Sequence, residues 1–425
     1  MRIKKNDLLD YIILYWIIIY VFVICWLAYL KQGAFVLCVL ILLRLLLDYK
    51  KSIRFVPLHM GIMISVIYPL LSYLYLGGSV EILLDNIGTI FSTSLVLIYI
   101  SFICKYKRTF IIKFIRRRKL LFNGYMVLNI PILLLQLAGF TALSGRHPEA
   151  LNNSFYADLV SGLFGYNGTG LLTMYFCFLF IYNLFLYQNK EIKQRKYFMI
   201  YTIVITGLIF YIAANSDNKA LFILMPMFLI IYLVEMRMNV GKNILKKIRY
   251  LLKYALIAIL AFTFLIIILQ PVLGTGDLIR DTFTKIQNGW ELSNNSYGSA
   301  ERLGMIAYAL NNQTIRWKGA GIGQHTWQEA YAFKFAHFGI SDFGSFLCIG
   351  GITLVSLIIL FMISIYKQVM HDKVSISIFL LASIVIMLYT QLFTVLSAMC
   401  SWVFFILTIV IGCDIKKIKK DSSIL

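Results

Sequence analysis

Charge is what this chain has least of. Only 14% of its 425 residues are Asp, Glu, Lys or Arg, against about a quarter in a soluble protein. With 60% hydrophobic residues and a mean hydropathy of +0.81, this shortage excludes a soluble globular domain and marks a polytopic membrane protein. Acidic residues are scarcer still, 19 against 40 Lys and Arg. The resulting net charge of +21 would invite nucleic acid, but the basic residues fall in short clusters between apolar runs and form no single patch, so a nucleic-acid partner is set aside. Histidine is rare, with no pair at zincin spacing and no Asp-x-Asp motif, so a divalent metal is not indicated. The seven cysteines (Cys25, Cys38, Cys104, Cys177, Cys348, Cys400 and Cys413) lie in or beside apolar segments. Lacking paired ligand spacing, they read as small packing residues. No small-residue cleavage site follows the first apolar run, which reads as a membrane helix with a cytoplasmic start.

What is present is a succession of apolar runs long enough to cross a bilayer. About twelve spans are predicted, at 9–30, 33–48, 55–76, 86–104, 120–142, 169–188, 197–214, 220–236, 254–273, 339–365, 374–390 and 393–413. The expected fold is thus an all-α polytopic helix bundle, one integral membrane domain over residues 1–425. Arg44 sits near the cytoplasmic end of the second span, and snorkelling to the headgroups is its expected fate. If the N-terminus is inside, the seven inner segments hold 30 of the 40 Lys and Arg, as the positive-inside rule requires.

One long polar stretch, residues 274–338, interrupts this pattern on the outer side. Loops of that length usually have a function. Ile279, Phe283, Ile286 and Trp290 recur at helical spacing, as do Leu303, Ile306, Ala307 and Leu310 behind Ser299, so the loop is predicted to carry short helices and form an ordered cap.

Several outer residues could carry chemistry, each beside a plainer alternative. Arg302 has the planar donor fork that suits phosphate oxygens, or is a solvated loop arginine. Lys219, in the turn after Asn215, is a point charge for phosphate or the partner of Asp217. His337 is a general base near neutral pH or an interfacial residue; His325 has less context. Gly319, Gly321 and Gly323 make a tight turn whose amides could meet an anion. A dinucleotide reading fails for lack of the strand, helix and further glycine it needs. The segment Asp158, Gly162, Phe164, Gly165, Gly168 and Gly170 allows close approach of backbone or ligand. Trp327, Tyr331, Phe333, Phe335 and Phe338 read first as an interfacial belt, and as sugar-stacking rings second. Asp342-Phe343-Gly344 copies a kinase tripeptide without any other kinase element.

The order of these motifs carries a resemblance. Ser299-Ala300-Glu301-Arg302-Leu303, then Ala309-Leu310, then Gly319-Ala320-Gly321-Ile322-Gly323, then His337 and Gly350-Gly351-Ile352, resembles the O-antigen polymerase and ligase superfamily. The Asp158 to Gly170 segment is similar to the loop of capsular, Wzy-type polymerases, and Asn215–Leu221 to the family's short Ser-Arg turn. The resemblance covers roughly residues 150–365. Lys219 stands where the family usually has arginine, and His337 lacks the following asparagine of many ligases, which leans toward polymerase. The resemblance implies a glycosyltransferase that joins polyprenyl-diphosphate-linked glycans at the outer face of the bacterial cytoplasmic membrane, without nucleotide, metal or other cofactor. Arg302 and then Lys219 would meet the leaving diphosphate, His337 would take the acceptor proton with Asp342 in reserve, and Asp158, Gly321 and Gly323 would line the substrate. A flippase and a chain-length regulator are the implied partners beside the lipid-linked oligosaccharide and the bilayer. A ligase and a lipid-linked oligosaccharide flippase are the alternatives.

Overall fold

A computed structural model describes residues 5–27, 29–140, 160–165, 168–188, 195–216, 218, 220–237, 301–327, 341–370 and 373–421, with single helical positions at 249, 253 and 256. The architecture is all-α and multi-pass. Eight helices are long and apolar enough to cross a membrane. They are α1 (Asp7–Leu27), α2 (Leu30–Leu47), α3 (Val56–Leu76), α4 (Val80–Tyr106), α6 (Lys119–Leu137), α7 (Thr169–Gln188), α8 (Arg195–Ala214) and α11 (Asp342–Val369). Three shorter apolar stretches follow, Leu221–Leu233 in α9 (Leu221–Arg237), Ser375–Tyr389 in α12 (Lys373–Tyr389) and Leu396–Ile411, which runs into α13 (Ser401–Asp421). Eleven of the twelve predicted segments contain a helix, eight of them long enough to span; the remaining one, 254–273, lies outside the described residues except for Leu256, and the stripe from Ile279 to Trp290 lies outside them altogether. Two shorter helices are α5 (Arg108–Arg116), with Ile111, Ile112, Phe114 and Ile115 buried, and α10 (Glu301–Asn311). The stripe behind Ser299 does form α10, with Met305, Ile306, Ala307 and Ala309 buried.

Local sequence sets the details. Ser79 caps α4 by accepting from Glu81 N at 3.2 Å, with the Glu81 charge in the first turn, where a helix favours it. In α3 a π turn at Met63–Ile67 precedes Pro69, since proline supplies no amide to the regular ladder. Helices α4 and α7 are buried over about 83% and 78% of their most apolar windows. They form the centre, as helices apolar on every side do. Six cysteines are free and buried, in packing positions.

The snorkelling expectation for Arg44 needs correction. Its side chain is only 1% exposed and does not snorkel. Nε donates to Asp10 at 2.6 Å and Nη1 to Asp48 at 2.8 Å. Asp10 also takes Lys107 Nζ at 2.6 Å, and the same ammonium reaches Asp7 at 2.5 Å. The guanidinium lies 5.6 Å from the Phe102 ring centre. With two carboxylates supplied inside the bundle, the arginine has no need of water. These ion pairs tie α1, α2 and α4 together at one end.

Candidate functional site

The opposite end is assembled from backbone. Helix α11 is interrupted at Gly351, whose φ of +66° and ψ of −173° break the helical ladder. Into this break docks the segment that follows α10. Ala320 N donates to Cys348 O at 2.9 Å and Gly321 N to Ile349 O at 3.0 Å, while Ile352 N donates to Arg316 O at 2.9 Å and Thr353 N to Trp317 O at 3.2 Å. Both edges of the break are thereby satisfied, as non-helical backbone inside a membrane bundle must be. Glycine is required on both sides. A Cβ on Gly351 would stand 2.4 Å from the Trp317 carbonyl carbon, and one on Gly319, itself at φ +72°, would stand 2.1 Å from Ile349 O. Tyr68 adds its hydroxyl to Gly350 O.

Asn86, only 1% exposed, fastens the far end of the docked segment. Its Nδ2 donates to Ile322 O at 2.7 Å and His325 O at 2.8 Å, and its Oδ1 accepts from Trp327 N at 3.1 Å. The Trp327 indole donates to Asn86 O at 3.2 Å, and its ring meets Phe346 edge-on at 5.6 Å. Trp327 is therefore a buried anchor and not part of an interfacial belt; Tyr331, Phe333, Phe335 and Phe338 lie outside the described residues. Gly323 O accepts from Ser79 N at 2.8 Å, beside a parallel bridge to Gly78. The amides of Gly319, Ala320, Gly321 and Ile322 all find partners within the protein. The expectation of anion-facing amides fails at Gly321; Gly323 serves backbone docking.

Asp342 opens α11 behind Ser341, whose Oγ caps Gly344 N at 3.0 Å. The Asp342 carboxylate is fully buried. One oxygen accepts from Leu392 N at 2.7 Å and Phe393 N at 2.8 Å; the other accepts from Thr394 N at 3.0 Å and Thr394 Oγ1 at 2.7 Å. Four donors on one carboxylate hold the unwound, buried chain between α12 and α13. The reserve-base expectation is revised accordingly: the geometry makes Asp342 an anchor, because a proton on it would cost these charge-assisted bonds.

The glycine-rich segment before α7 is likewise docked on protein. Gln136 Oε1 accepts from Gly162 N at 2.7 Å and Ser161 N at 3.1 Å, and Asn129 Oδ1 accepts from Leu163 N at 2.8 Å. Phe164 sits among Tyr125, Tyr175 and Phe22. Of the alternatives for these glycines, close backbone approach is the one realised.

These elements form a continuous end of the bundle. Arg302 lies in the first turn of α10; its side chain is outside the described set. One turn on, the Met305 sulfur would meet a Cβ on Gly344 at 2.8 Å, which joins α10 to the start of α11. Asp342 joins α11 to residues 392–394, and Leu392 touches Gly170 in the first turn of α7. Thr173 of that helix bonds the side chain of Asn218, next to Lys219. Lys219, Asp158 and His337 lie outside the described residues. The sequence reading missed Asn86, Asn129 and Gln136, though each is a carboxamide within or beside an apolar run, where burial demands a partner. Among the described residues no group of His, Cys, Asp or Glu is arranged to hold a metal ion.

The chain matches no family model, no curated protein and no solved structure.

Proposed function

We propose that the chain is a polysaccharide polymerase that transfers a polyprenyl-diphosphate-linked glycan onto another lipid-linked repeat unit. The reading includes twelve spans, cytoplasmic termini, a bacterial cytoplasmic membrane and an outer loop over residues 274–338. Its main support is the continuous end just described, which links the helix of Arg302 through Asp342 and Leu392 to the turn that holds Asn218 and Lys219. The crowding of basic residues into the alternate loops supports placing that end outside.

In this mechanism an acceptor sugar hydroxyl attacks the anomeric carbon of the donor. The new glycosidic bond forms as the bond to the lipid diphosphate breaks. Arg302 and Lys219 meet the charge that grows on the departing phosphate oxygen, and His337 takes the hydroxyl proton. Asp158 lines the substrate. Gly321 and Gly323 act indirectly, by seating the segment that follows the Arg302 helix.

The test is reconstitution with lipid-linked repeat units and a gel of the product. Arg302→Ala is expected to abolish the ladder while membrane insertion is retained. An undiminished ladder would remove Arg302 from the mechanism, and transfer of one finished chain to a foreign acceptor would favour a ligase.

One observation favours a second reading. The break at Gly351 and the non-helical residues 390–395 are the kind of interrupted helices on which transporters build binding sites, so a flippase for the same glycan is the rival. Movement of lipid-linked oligosaccharide across sealed liposomes, without any ladder, would establish it.

A further inference from the structure

We infer that the start of α7, flanked by Asn218 at Thr173 and by Gln391 at Gly170, is a seat for the hydroxyls of a sugar ring. Two carboxamides carry the inference, Asn218 buried and Gln391 half-buried. Asn218 is 3% exposed, yet its Nδ2 has no partner. Its other polar atom meets the Thr173 hydroxyl, which also points at Thr169 O at 2.9 Å. One hydroxyl proton cannot serve both acceptors. Whichever way the carboxamide is turned, one of its polar atoms is left open. Gln391 repeats the situation near Gly170, with a buried Nε2 that has no partner.

Gln391 is also held firmly in place. Thr390 O accepts from Asp342 N at 3.1 Å, and the amides of Leu392 and Phe393 end on the Asp342 carboxylate. The residue is thus clamped from both neighbours. The absence of a Cβ on Gly170 lets this strand approach: such an atom would stand 3.0 Å from Leu392 and 4.0 Å from Gln391 O. The amides that open α7 add donors with no partner inside the helix. A buried polar atom without a partner destabilises a fold unless water or a ligand completes it. The backbone around Gln391 and the Asn218 side chain are held in place.

The chemistry selects the ligand. Carboxamides both donate and accept without charge, which matches hydroxyls around a ring. A phosphate would draw on cations, and the Asn218–Lys219 order puts the cationic residue one step along the chain. The seat therefore suits the sugar next to the diphosphate. Its place in the reaction rests on the polymerase reading; its occupancy can be tested without turnover.

The experiment uses the full chain in a detergent without a sugar headgroup. Unfolding temperature is followed with glucose, galactose, N-acetylglucosamine and sodium pyrophosphate, for the unmodified protein, Gln391→Met and Asn218→Leu. At least one sugar is expected to stabilise the unmodified protein, with affinity about tenfold weaker in each variant, while any pyrophosphate effect is equal in all three. Gln391→Met removes only unpaired amide atoms, and without sugar it is expected to unfold no earlier than the unmodified chain. That keeps the test valid if Asn218→Leu fails to fold. The inference is overturned if no sugar stabilises the protein, if the effect persists in Gln391→Met, or if pyrophosphate is the ligand whose effect the variants lose. A sugar effect without a polymer ladder would leave the seat standing and remove the polymerase reading.

Discussion

At one end of the bundle charged side chains hold the helices; at the other, backbone groups do. Asp7, Asp10, Arg44, Asp48 and Lys107 make a compact ionic knot around the starts of α1 and α5 and the ends of α2 and α4. The opposite end has glycine segments pressed against broken helices, with Asn86, Asn129, Gln136 and Asp342 terminating the exposed backbone. The difference has a physical cause. A buried charge pair is costly to desolvate and ties fixed points together. Backbone docking leaves carbonyls and amides at defined positions and brings loops into the bundle. One end is held by charge pairs and the other by hydrogen bonds to backbone.

The largest effect that would sharpen this contrast is expected from Asp10→Ala. It leaves Arg44, with 1% of its side chain exposed, with Asp48 alone, and Lys107 with Asp7 alone. A cost of about 3–5 kcal/mol is expected from breaking such a pair on one side only. Loss of folded protein on size-exclusion chromatography would register it, and Asp10→Leu with Arg44→Met should recover much of it. A harmless Asp10→Ala would mean that the knot does not hold that end. Next comes Gly351→Ala, which puts a side chain at φ +66° against the Trp317 backbone. A penalty of about 3 kcal/mol follows from backbone strain alone. It should fall on the docked segment, read as faster tryptic cleavage after Arg316 and Lys318 with the helical circular dichroism retained. Asp342→Asn is the mildest: it keeps the shape but turns two charge-assisted acceptors into a neutral group, at about 2 kcal/mol. As an anchor, the variant should lose thermal stability and polymer yield together; loss of ladder with unchanged stability would return Asp342 to the role of base.

Much of the bundle was legible in the sequence, because a membrane span declares itself by composition and length. Eleven expected spans coincide with helices, and the stripe through Leu303, Ile306 and Ala307 became α10. Arg44 was misjudged because its fate depended on Asp10, thirty-four positions away, a pairing that periodicity does not encode. Gly319 and Gly321 were recognised as a tight turn, but the other half of that turn is Cys348 to Thr353. Only the fold brings the two together, and in doing so it uses the amides that seemed free for an anion. Trp327 was read by its type, whereas Asn86 decides its place. Residues such as Asn218 and Gln391 stood out only once burial showed what they lacked.

The central claim is that the backbone-docked end faces outward while the ionic, basic end faces the cytoplasm. Single cysteines at Gln324, in the docked segment, and at Lys113, on the exposed side of α5, test it in intact cells with a membrane-impermeant maleimide, the unmodified chain serving as blank. Labelling is expected at Gln324→Cys, and at Lys113→Cys only after the cells are opened. The reverse pattern would place the docked end inside and contradict the account.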